Sequence, residues 1–86
     1  MAYDLIWHER VKQDLASLRK EDAARIIARI KERLVHDPLG MSRPLKGIFK
    51  GLHRYRIGDY RVVLAIDHEK QRLFILHIKH RKNAYR

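Results

Sequence analysis

The 86-residue chain carries twenty Lys/Arg against ten Asp/Glu, a formal charge of +10 at pH 7 with a pI near 10.4. It has no cysteine, which excludes disulfides and thiolate metal ligands. No apolar run approaches the roughly 18 residues of a membrane span, and the opening MAYDLIWHER meets charge at once, unlike a secretory leader. One small domain over residues 1–86, soluble and cytoplasmic with no membrane partner, is the expectation.

The charge is unevenly spread. Residues 1–42 hold eight Lys/Arg and seven Asp/Glu, whereas residues 43–86 hold twelve and three. Solubility does not require such a concentration; a polyanionic partner, nucleic acid or an acidic protein, explains it more simply.

Taken in order, Tyr3, Leu5 and Trp7 alternate with Ala2, Asp4 and Ile6, the period of a short strand with one better-buried face. A first helix follows His8-Glu9, with Val11, Leu15 and Leu18 as its apolar stripe and Arg10, Lys12, Asp14 and Arg19 toward water. Asp22 is the expected N-cap of a second helix, whose stripe is Ala23, Ile26, Ile27, Ile30 and Leu34. Pro38 and Gly40 are expected to end it, because the residue before proline disfavours the α region. Residues 39–50, LGMSRPLKGIFK, read as a loop crossing toward a sheet. Three strands then follow at Leu52–Ile57, Tyr60–Asp67 and Leu73–Ile78. The first two are joined by a tight Gly58-Asp59 hairpin with positive φ at Gly58. The third, apolar on both faces in its middle, suits a central position under helices. The fold class is α+β, ordered β-α-α-β-β-β, with a helical hairpin on one face of a small, mainly antiparallel sheet.

Two segments carry the chemistry. RPLKGIFKGLHRYRIGDYR, residues 43–61, holds six Lys/Arg and the single acid Asp59, and the C-terminal HIKHRKNAYR holds Lys79, Arg81, Lys82 and Arg86 and no acid. Arg54 and Arg56 share one strand face, and the hairpin brings Arg61 toward Arg56. Three converging guanidiniums suit a bridging phosphate, for which the planar fork is shaped. His77, His80 and His53 do not make a metal set, since i and i+3 on a strand face opposite sides and no clustered acid completes it. His80, beside Arg81, offers a titratable group near phosphate. Tyr85 either staples the tail to the fold or stacks on a base.

The ordered set Pro-Leu-Lys-Gly, Gly-Leu-His-Arg-Tyr-Arg-Ile-Gly-Asp-Tyr-Arg-Val-Val and His-Arg-x-x-x-Tyr resembles the RelE/ParE toxin superfamily of prokaryotic toxin–antitoxin pairs, over nearly the whole chain. The resemblance implies one of two activities. RelE-like members cut mRNA in the ribosomal A site; ParE-like members poison DNA gyrase. The residues that RelE-like cutters use match Lys46, Arg54, Arg56, Arg61, Arg81 and Tyr85, which favours RNA cleavage by attack of a 2′-hydroxyl on the adjacent phosphate. On that reading Arg61 and Arg81 hold the phosphate, Arg54 and Arg56 bind backbone, with Lys79 and Lys82 beside them, and Tyr85 positions a base or the hydroxyl. The implied partners are the ribosome, mRNA and an antitoxin whose binding tail is acidic and disordered when free, with no metal and no small-molecule cofactor. The best-known RelE-like toxins carry lysines where this chain has Arg54 and Arg56. An arginine stays protonated and makes no credible general base. His80, or secondarily His53, is therefore the expected base; the alternative is a site that works mainly by electrostatics and orientation. A gyrase inhibitor of the same fold, or a binding module without catalysis, is the alternative.

Overall fold

Strand β1 (Asp4–Trp7) opens the chain, and in the computed structural model, which describes residues 2–80, its alternation is visible as burial: Leu5 and Trp7 turn inward and Asp4 and Ile6 outward. The nitrogen of His8 extends the pairing to the Ile75 carbonyl, and its imidazole Nδ1 accepts from the Arg10 amide, capping α1 (Glu9–Ala16). Helix α2 (Lys20–Glu32) begins three residues earlier than expected. Its N-cap is Arg19, and Asp22 sits inside the first turn beside Glu21, where carboxylates complement the helix dipole. Val11, Ile26, Ile30 and Leu34 are fully buried and form the helical side of the core.

Pro38 does not simply end a helix. After a 3-10 turn at Leu34–His36 it starts α3 (Pro38–Met41), with Asp37 as cap accepting from the Gly40 amide at 3.1 Å. Proline suits that first-turn place, because its missing N–H would have no partner there. The expected loop therefore contains structure: α3, a two-residue strand β2 (Arg43–Pro44) and a 3-10 turn at Gly47–Phe49.

Strands β3 (His53–Ile57), β4 (Tyr60–Asp67) and β5 (Arg72–His80) follow, and Gly58 has φ +56° in the hairpin. The sheet order is β1-β5-β4-β3-β2, with β1 parallel to β5 and the other neighbours antiparallel. Tyr55, Ile57, Tyr60, Val62, Leu64, Leu73, Ile75 and Ile78 close the core from the sheet side. The ladder of β4 and β5 shifts register once. Val63 faces His77 and Leu64 faces Ile75, so Leu76 has no directly opposed residue and forms a bulge.

Tyr60 ties sheet to helix, its hydroxyl donating to Asp22 at 3.0 Å. Burial pushes this phenol above its ordinary 10.0, and the bonded Asp22 carboxylate pushes the same way, against weaker pulls from Arg25 and Arg19. A raised folded value means that the stabilisation is complete below pH 10.0 and is lost as pH climbs through the folded value, since the unfolded chain releases its proton first. Tyr60→Phe should cost about 1 kcal/mol at neutral pH. Urea melts carried to alkaline pH should show the parent's advantage shrinking there.

Candidate nucleic-acid interface

The pleat sorts β3 into two sets. His53, Tyr55 and Ile57 turn to the core, and Arg54 and Arg56 turn to the opposite face. Register then decides which cations meet. Arg56 lies opposite Arg61, and Arg61 opposite Lys79, making a row across β3, β4 and β5. A second row runs Arg43, Arg54, Val63, His77 across four strands. Like charges directly opposite one another on a sheet are destabilising, so these rows are a cost in the isolated fold that an anion would relieve.

Arg61 and Lys79 of the first row and Arg54, Val63 and His77 of the second line a cleft of about 540 Å³. Its cations are Arg54, Arg61 and Lys79 from the sheet and Arg10 from the start of α1. Leu45, Phe49, Leu52, Val63 and Leu76 supply an apolar lining. Leu45, Phe49 and Leu52 form a wall from the β2–β3 connection, which is closed by the Leu45 amide on the Leu52 carbonyl at 2.8 Å and has positive φ at Gly47 and Gly51. Phe49 stays 53% exposed on this wall and Ile48 94%. Apolar surface ringed by guanidiniums is what a single-stranded nucleic acid asks for, faces for bases and charge for backbone.

His77 completes the lining from β5. Its Nδ1 lies 2.7 Å from a carboxylate oxygen of Asp14 on α1, and both side chains are more than four-fifths buried. The same oxygen accepts from the Ile78 amide at 3.0 Å. The register of β1 ends at Trp7 opposite Ile75, so Asp14 gives the outer edge of β5 a partner where β1 stops. Asp14, expected to face water, is thus an internal acceptor. The bulge at Leu76 is what turns His77 to the cleft side of the sheet.

The other two histidines point elsewhere. His80 pairs with Tyr60 and meets its ring edge-on at 5.0 Å, on the helix side. His53 pairs with Leu64 on that side too, with Nδ1 buried and without a hydrogen-bond partner.

The sequence matches the family described as the ParE toxin of type II toxin–antitoxin system, parDE, over residues 5–85. The chain belongs to the RelE/ParE toxin superfamily. Toxin RelE of Mycobacterium tuberculosis is 39% identical over 74 residues, 86% of this chain and 76% of that protein. Among solved structures, the toxin–antitoxin complex RelBE2 of the same organism contains a chain that superposes with a TM-score of 0.90 at 27% identity, covering 94% of this chain and 100% of that one. The archaeal RelE–RelB complex from Pyrococcus horikoshii gives 0.75 at 28% identity, covering 98% and 100%. The α+β fold expected from the sequence is the fold of these toxins.

Of the residues expected to form the site of a RelE/ParE toxin, Arg54, Arg56, Arg61 and Lys79 share one face. Lys46 is exposed on the connection that walls the cleft, next to Leu45. His80, expected as the base, lies on the opposite face because it pairs with the core residue Tyr60. Arg81, Lys82 and Tyr85 lie outside the described residues. Arg10, Asp14, Arg43, Phe49 and His77 are additions that the sequence reading missed. Strict alternation along β5 puts His77 and Lys79 on the face of Leu73 and Ile75, and only the bulge reverses that.

Proposed function

We propose that this toxin is a ribosome-dependent endoribonuclease that cuts mRNA in the ribosomal A site and is kept silent in the cytoplasm by a cognate antitoxin. The observation that carries the reading is the cleft itself, with Arg10, Arg54, Arg61 and Lys79 gathered beside an apolar, Phe49-bearing wall. Arg61 and Arg81 hold the scissile phosphate and stabilise the charge that builds on it as the 2′-hydroxyl attacks. Arg54, Arg56, Lys46, Lys79 and Lys82 bind the flanking backbone, and Tyr85 positions a base or the attacking hydroxyl. The ribosome aligns the strand, which accounts for a site built almost wholly of charge and orientation. The 39% identity to a protein named toxin RelE supports this branch. Two of the solved relatives are toxin–antitoxin complexes, RelBE2 and RelE–RelB. An acidic segment that folds onto the basic half is the matching partner here.

The family description as a ParE toxin supports a second reading, a gyrase inhibitor on the same fold. End-mapping of mRNA in a translating extract separates the two. The nuclease gives cuts in codon register, absent from ribosome-free RNA. Intact mRNA with blocked supercoiling would transfer the assignment to gyrase.

A further inference from the structure

Resting on the nuclease reading, we infer that His77, held by Asp14, is the general base that takes the proton of the attacking 2′-hydroxyl. Among the described residues, the proton-bearing side chains of this sheet face are otherwise arginines, which do not give up their protons, and Lys79. His80 and His53 stand on the far side of the sheet. His77 is the imidazole on the near side, a diagonal neighbour of Arg61 across β4 and β5.

The Asp14 contact gives this imidazole a definite form. A carboxylate oxygen accepts hydrogen bonds, so at 2.7 Å Nδ1 is the donor and carries the ring proton. Nε2 is then the nitrogen with a lone pair, on a residue that lines the cleft. The Asp14 carboxylate is itself fixed, because the Ile78 amide binds the same oxygen. Nucleophile-activating histidines are oriented by a carboxylate on Nδ1 in this way. A solvated surface histidine needs no such support.

The step balances without any further reagent. Nε2 accepts the 2′-hydroxyl proton as the 2′-oxygen bonds to phosphorus. The P–O5′ bond breaks, and its electron pair leaves with the 5′-oxygen, which is protonated from solvent. The products are a 2′,3′-cyclic phosphate and a 5′-hydroxyl end. The imidazolium, flanked by Asp14, Arg10, Arg54, Arg61 and Lys79, returns its proton to water. His77 is the catalytic residue of this step and Asp14 a positioning residue.

The test uses single-turnover cleavage on programmed ribosomes with parent, His77→Ala, His77→Gln and Arg61→Ala. Glutamine keeps an amide N–H for Asp14 and lacks a basic nitrogen, so it serves if the alanine variant does not fold. Both His77 variants should cleave about 10²- to 10⁴-fold more slowly with unchanged ribosome affinity. Added imidazoles should restore His77→Ala, the more basic ones faster, and should not restore Arg61→Ala. Asp14→Asn should move the His77 ring ¹⁵N signals toward the Nε2–H tautomer, and should slow the parent while leaving His77→Gln no slower. A folded His77→Gln that cleaves like the parent overturns the inference, as does an alanine variant that imidazoles fail to rescue. A parent that cuts no ribosome-bound mRNA overturns the nuclease reading instead.

Discussion

Arg61→Ala should slow cleavage of ribosome-bound mRNA by about 10²- to 10³-fold, the usual cost of removing one preorganised donor from developing oxyanion charge. Arg61 is the middle of the row between Arg56 and Lys79, and it alone of the three has a cation on both sides. A phosphate seated on the row therefore meets Arg61 first. Arg61→Lys should recover only part of the loss, because an ammonium keeps the charge and forfeits the bidentate fork. Arg56→Ala, at the exposed end of the row, should weaken binding with a smaller effect on the chemical step. Single-turnover rates, read beside thermal melts of the same proteins, check all of this.

Leu64→Ala should have the opposite signature, a large loss of stability with the site's chemistry untouched in whatever fraction remains folded. Leu64 is fully buried in the middle of β4, where the sheet side of the core meets Ile26 and Ile30 of the helical side. Truncating such a side chain costs about 2–5 kcal/mol through lost transfer energy and the cavity left behind. Domains of this length have roughly 4–13 kcal/mol in total. The midpoint of thermal unfolding should accordingly fall by more than about 10 °C. A drop of only a degree or two would mean that the two sides of the core are not packed against each other through Leu64.

Much of this fold was legible because its elements keep a simple period. Tyr3, Leu5 and Trp7 alternate as a strand facing one core, and Ile26 and Ile30 keep a helical stripe. Tyr60–Asp67 was readable end to end, since Gly58-Asp59 fixes where it starts. Errors arose where a local signal had two physical uses. Asp22 has the composition of a cap but serves as the acceptor of Tyr60, 38 residues away. Pro38 marks the end of one helix and is equally able to begin another. The cationic face was legible from the spacing of Arg54, Arg56 and Arg61, whose hairpin sets their register locally. The Asp14–His77 pair was not, because it joins residues 63 apart and depends on a register shift that composition does not announce.

That shift makes the phase of β5 hang on one residue. Leu76 acts as a phase step. Upstream of it the odd-numbered Leu73 and Ile75 are internal, and downstream of it the even-numbered Ile78 is internal while His77 and Lys79 are on the cleft side. Straightening the strand with Leu76 retained would exchange the downstream sets in a single stroke, sending an imidazole and an ammonium into the core and an isoleucine out of it, whereas deleting Leu76 would remove the bulge and leave both sets in place. The connection from Gly47 to Gly51 carries no such arithmetic. Among descendants of this sequence, gains and losses of residues should accumulate in that connection, and within β5 a loss should be tolerated only at Leu76.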